Sequence, residues 1–165
     1  MIFDRIRKYA VRLATIVILS VSGFATAQAG KIYEINQIID IHAQTPEDFY
    51  RFVPNYYWIE PGDTVRFNNT TGNHTVKSVA GIWPEGVQLV DIAGQDVSDI
   101  ELTKPGVYGF RCRVHARHGM FALIIVGSPD PNLKQVSFDK LNDRGEKVFR
   151  KLFEKMEIDR KAHQQ

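Results

Sequence analysis

Between Lys31 and Ser128 the chain is a succession of short runs rich in β-branched and aromatic residues, each closed by a turn-forming cluster, and this rhythm leaves little choice of fold. The runs are Ile32–Ile41, Phe49–Val53, Tyr57–Glu60, Thr64–Asn68, Thr75–Val79, Ile100–Thr103, Val107–Arg113 and Phe121–Val126. Pro61-Gly62-Asp63, Thr71-Gly72-Asn73 and Lys104-Pro105-Gly106 separate several of them. No helical period lies between these strands, so the pattern predicts an all-β fold in which two sheets pack as a β-sandwich. No internal repeat or low-complexity tract interrupts it.

The composition changes after Ser128-Pro129-Asp130-Pro131. Asp143-Arg144-Gly145-Glu146 resembles a capping box with Asp in the place of Ser or Thr, and Val148, Phe149, Leu152, Phe153 and Met156 follow at three- and four-residue spacing. A C-terminal amphipathic helix is expected, its apolar stripe packed on the sandwich. The boundaries read from this are a domain over 30–128 and a helical extension over 129–165.

The first 29 residues read as a secretory leader. Arg5, Arg7, Lys8 and Arg12 are basic, Leu13–Phe24 is a short apolar run, and Ala27-Gln28-Ala29 is a small-x-small cleavage pattern. About twelve apolar residues fall short of the roughly 20 a membrane-spanning helix needs. The expectation is export and cleavage, with Gly30 the first mature residue and no membrane association afterwards. The leader carries four of the 21 Lys+Arg and one of the 19 Asp+Glu, so the mature chain has 17 basic and 18 acidic side chains, formally −1. That balance gives no footing for nucleic-acid binding.

One cysteine in an exported chain cannot form an internal disulfide. It either fills a core as a small hydrophobe or binds something. Its surroundings favour the second: in Tyr108–Met120, "YGFRCRVHARHGM", Cys112 is followed by His115, His118 and Met120 on the hairpin between the last two strands. His74, just after a Gly-Asn turn, is a further candidate from far upstream. A thiolate and two imidazoles with a weak thioether suit copper in both oxidation states, because Cu(I) favours sulfur and Cu(II) favours nitrogen. Zinc would accept the same Cys and His side chains but has no use for Met120.

These segments resemble the blue copper proteins, or cupredoxins, and within them the pseudoazurins. The likeness spans roughly 33–141 and includes "YWIEPGDTVRF", "NHTVKS", "WPEGV", "KPGVYGFRCRVHARHGM" and "FALIIVGSPDPNL". Cys-x2-His-x4-Met is the loop spacing of pseudoazurin and plastocyanin, and not that of azurin or amicyanin. The resemblance implies a Greek-key sandwich with trailing helices and one mononuclear type 1 copper ion bound by His74, Cys112, His115 and Met120. It also implies that His74 is buried while His115 offers a ring edge at the surface. Two positions depart from the family: Thr75 stands where Asn usually tethers the two ligand loops, and Val114 where a proline usually lies between Cys and His. His118 is read as a rim residue, and His42 and His163 as solvated histidines.

The function that follows is a periplasmic electron carrier, monomeric and without substrate chemistry; a copper delivery or storage protein using the same site is the alternative. Enzymatic copper clusters of the His-x-His or His-Cys-His type do not occur. The resemblance implies redox proteins such as copper nitrite reductase, nitrous-oxide reductase or a c-type cytochrome as partners, docking around His115. Alternation along the strand turns Arg111 and Arg113 away from Cys112. Arg117 and Lys77 extend a basic rim, and Val114, Ala116 and Pro84 are expected to form an apolar centre.

Overall fold

A computed structural model describes residues 29–163, the side chains of residues 46, 47 and 163 aside. The leader therefore lies, but for Ala29, outside the described residues. In chain order the elements are β1 (Ile32–Ile39), α1 (Pro46–Phe49), β2 (Tyr50–Val53), β3 (Tyr56–Ile59), β4 (Asp63–Asn68), β5 (Thr75–Ser78), β6 (Asp91–Ala93), β7 (Val97–Leu102), β8 (Gly106–Arg111), β9 (Phe121–Val126), α2 (Asp130–Leu133) and α3 (Asp143–His163). They form the expected sandwich, with one sheet in the order β2-β1-β4-β7 and the other in the order β3-β9-β8-β5-β6. None of the described helices is long and apolar enough to cross a membrane.

The alternation that signals a half-buried strand is clearest in β4 and β7. Val65 and Phe67 point into the core while Thr64 and Arg66 point outward, and β7 alternates in the same way opposite them. β9 differs, because all six of its residues are buried. Ala122, Ile124 and Val126 face the interior of the sandwich, whereas Phe121, Leu123 and Ile125 face a second core completed by Phe149, Leu152 and Met156 of α3. A strand covered on both faces reads as a continuous apolar run, as Phe-Ala-Leu-Ile-Ile-Val does.

The cap of α3 is Asn142, one residue earlier than the sequence pattern placed it. Its side-chain oxygen accepts the Gly145 N–H at 2.7 Å and its carbonyl accepts the Glu146 N–H at 3.0 Å. Gly145 permits the helix to approach this closely: a Cβ there would lie 2.8 Å from Phe121 Cζ. The Phe121 and Phe149 rings then meet edge to face at 5.3 Å. At the other end of the sheet, Asn132 closes the free edge of β8 by accepting the Val107 N–H at 2.8 Å and donating to the Val107 carbonyl at 3.0 Å.

Candidate metal centre

Strand register draws the candidate ligands together. Arg111 of β8 pairs with Lys77 of β5 on one side and with Phe121 of β9 on the other. The residues just beyond these strand ends, Cys112 and Met120, therefore emerge at one pole of the sandwich together with His74 at the start of β5. The Cys112 N–H continues the ladder by donating to the Met120 carbonyl at 3.1 Å. Between them the chain makes a 3-10 turn over Ala116–His118, ended by Gly119 at φ 99°, a left-handed conformation that suits glycine. The turn leaves His115 folded back toward Cys112.

Three donors converge. Cys112 Sγ is 3.8 Å from His74 Nδ1 and 3.5 Å from His115 Nδ1, and the two imidazole nitrogens are 3.2 Å apart. All three residues are buried. Three donors at about 2.0–2.3 Å from one ion in a trigonal plane would stand about 3.5–3.8 Å apart, so the observed triangle fits a single metal ion closely. Met120 is fully buried in the same core cluster as Cys112, adding a thioether at the pole. His118 is not part of the triangle; its Nε2 accepts from Arg117 Nε at 2.9 Å. His42 is exposed, and the side chain of His163 lies outside those described.

Burial also prepares the imidazoles as ligands. Desolvation, with His115 as a smaller contributor, lowers the His74 pKa to about 4. His115 is shifted downward by desolvation first, then by His118 and Arg117. Both rings are thus neutral near pH 7, with a lone pair on the inward nitrogen. The outer nitrogen of His74 lies 3.1 Å from Thr71 Oγ1, which itself accepts the Ile39 N–H at 2.9 Å. That contact fixes the ring with Nδ1 turned inward.

Thr75 takes over a tether between the ligand loops. Its hydroxyl oxygen accepts the Arg113 N–H at 2.7 Å and its hydroxyl donates toward Cys112 Sγ at 3.8 Å. One side chain thus joins the strand that follows His74 to the loop that carries Cys112.

Two expectations about the surface are corrected. Little of His115 reaches solvent: the residue is only 8 % exposed, and Tyr50 of β2 stacks on it with ring centroids 3.9 Å apart and planes 11° from parallel. Sequence reasoning missed Tyr50, since nothing local links it to a loop 65 residues away. The apolar centre is also smaller than expected. Val114 is 50 % exposed, but Ala116 is buried, and Pro84 Cγ sits 3.1 Å from where a Cβ on Gly106 would lie. Gly106 is at the far end of β8, about six residues and roughly 20 Å along the strand from the cysteine. In the basic rim Arg113 is exposed, Arg111 is half-buried, and Lys77 is engaged with Asp91.

Comparison with known proteins agrees with this geometry. Residues 40–127 match the family of copper binding proteins described as plastocyanin/azurin. A pseudoazurin of Methylorubrum extorquens is 34% identical over 96 residues, covering 56% of this chain and 65% of the relative. A pseudoazurin of Paracoccus pantotrophus is 33% identical over 90 residues, covering 54% and 62%. The chain thus aligns with a little under two thirds of the length of these relatives. Among solved structures, pseudoazurin from Methylobacterium extorquens AM1 superposes with a TM-score of 0.69 at 27% identity, over 76% of this chain and 99% of that one. Native pseudoazurin from Hyphomicrobium denitrificans gives 0.66 at 29%, over 75% and 97%. With the family match spanning more than half its length and a buried His-Cys-His triangle at the pole of its sandwich, the chain belongs to the plastocyanin/azurin family of copper-binding proteins, as a pseudoazurin-like cupredoxin.

Proposed function

We propose that the protein is a one-electron carrier that binds one copper ion through His74, Cys112, His115 and Met120. The observation that supports this most directly is the buried triangle of two imidazole nitrogens and one thiol sulfur with mutual distances of 3.2–3.8 Å. When bound, copper supplies exchange between Cu(I) and Cu(II), which a mixed N and S donor set accommodates in both states. The chain's part is to hold the donors still. Cys112 and Met120 close a ladder rung, Thr71 orients His74, Thr75 ties the two loops, and Tyr50 packs His115 from outside. A site so constrained changes shape little between oxidation states, which favours rapid electron exchange without substrate chemistry.

In this reading residues 1–29 direct export to the periplasm and are removed, and the mature monomer exchanges electrons with acidic redox proteins. Copper nitrite reductase, nitrous-oxide reductase and c-type cytochromes are the partner classes the family resemblance suggests. Repeated reduction with ascorbate and reoxidation with ferricyanide, in the presence of a Cu(I) chelator, tests the function. A carrier takes up one electron per protein in each cycle and keeps its copper. Transfer of the metal to the chelator on reduction would favour delivery or storage instead.

A further inference from the structure

A groove of about 640 Å³ runs between β2 and α3 and ends at Gly119, the residue before Met120. Its floor is apolar, formed by the outer edges of the largely buried Phe52 and Leu152, and its walls carry Arg51, Arg144, Lys147 and Lys151 against Asp48 as the one acidic residue among those described. A smaller hollow of about 390 Å³ adjoins it and is lined by Tyr50 and His118; Thr45 borders both. The basic groove therefore leads to the ring that covers His115.

On the arginine rim beside the Cys112 loop, one carboxylate offsets part of the positive charge. There Lys77 pairs with Asp91, whose carboxyl is held low by Lys77 first and then by Arg113 and Arg111. In the groove Arg51 pairs with Asp40 at 2.8 Å, but Lys147 and Lys151, one helical turn apart and exposed, have no ion-pair partner among the described residues. Their outer sides share a neighbouring hollow with Asp143, Glu146 and Glu154, while the groove itself faces Asp48 alone among the described acidic residues.

We propose that the groove between β2 and α3 is the docking site for an acidic, amphipathic segment of the redox partner, a proposal that rests on the electron-carrier reading. Carboxylates of the segment pair with Lys147 and Lys151, an apolar side chain settles on Phe52 and Leu152, and the partner's redox group is thereby brought over Tyr50. Such a contact is small, rimmed by charge and salt-sensitive, as a transient electron-transfer encounter requires.

The test has two arms on the full mature protein. In the first, the Cu(I) form is titrated by nuclear magnetic resonance with the acetylated peptide Glu-Glu-Leu-Phe-Glu-Glu. Amide shifts should cluster at residues 48–55 and 144–152, and K147E/K151E should weaken binding about tenfold, as expected for reversing two exposed charges. K147Q/K151Q should fall between, and R113E/R117E should stay within about twofold of wild type. Shifts confined to β8, or an equal loss in R113E/R117E, would overturn the proposal. In the second, the Cu(II) form is reduced by flavodoxin hydroquinone, an acidic one-electron donor. The rate for K147E/K151E should fall about tenfold at low salt, and the difference should close at high salt. Normal transfer by wild type with an unslowed K147E/K151E removes the docking site and leaves the carrier reading intact. No transfer by wild type, with peptide binding as described, removes the carrier reading and leaves the acidic-segment site.

Discussion

The phenol ring of Tyr50 lies face to face on the imidazole of His115, 3.9 Å between centroids and 11° from parallel. Because β2 pairs with β1 through Ile39 and Tyr50, the cover belongs to the sheet opposite the one that carries the other ligands. Tyr50→Ala should expose the His115 ring and admit small external ligands. Added azide should then change the visible spectrum of the Cu(II) form of the variant and leave wild type unaltered. Tyr50→Phe keeps the stack and should behave as wild type; sensitivity of wild type and Tyr50→Phe to azide would mean that Tyr50 does not shield the ring.

Thr75 carries both a hydrogen bond from the Arg113 amide and a contact to Cys112 Sγ. Thr75→Val retains the shape but leaves that N–H without its acceptor, which costs about 1–3 kcal/mol. Urea denaturation should show a lower midpoint with an unchanged slope, and Thr75→Ser should recover most of the loss. Equal stability of Thr75→Val and wild type would remove the tether from the account.

The two loop histidines should separate cleanly. His115→Ala removes one corner of the donor triangle and should bleach the visible spectrum of the Cu(II) form, whereas His118→Ala should leave it nearly intact because His118 lies outside the triangle. The opposite result would shift the ligand register by three residues.

Acid should destabilise the metal-free protein through His74. Its pKa is about 4 in the folded state, below the ordinary 6.5, so the unfolded chain binds the proton more readily. The stability owed to keeping this ring neutral is fully present above pH 6.5 and is lost as the pH falls from there toward 4. The full effect is about 3–4 kcal/mol. Chemical denaturation between pH 7 and 4 should show this slope, and His74→Asn should flatten it; identical slopes would place the acid sensitivity elsewhere.

How much of this was legible in the sequence depended on the range of the interactions involved. Phe121–Val126 was read to its last residue, because a strand buried on both faces is written as an unbroken apolar run. β4 and β7 were found through alternation, although β7 begins at Val97, three residues before its apolar pattern is evident. β6, with three residues at a sheet edge and only Ile92 partly buried, left no pattern to detect. α1 was missed because four residues are too few for a helical period. At the metal centre, Cys112, His115 and Met120 were visible because they share one hairpin. Thr75 was marked as the position where the family usually has a tethering Asn, but Thr71 looked only like a turn residue. Tyr50 and the Lys147 and Lys151 groove depend on β2 and α3 meeting beside that hairpin, which no local pattern encodes.

The most direct measurement is the visible absorption spectrum of the mature protein during titration with Cu(II), run beside Cys112→Ser. Wild type should develop an intense blue thiolate-to-copper band that saturates at one ion per chain, and the variant, having no other thiol, should stay nearly colourless. Stoichiometric binding by wild type with only pale absorption, or an unchanged band in Cys112→Ser, would contradict a copper ion held by the His74, Cys112 and His115 triangle.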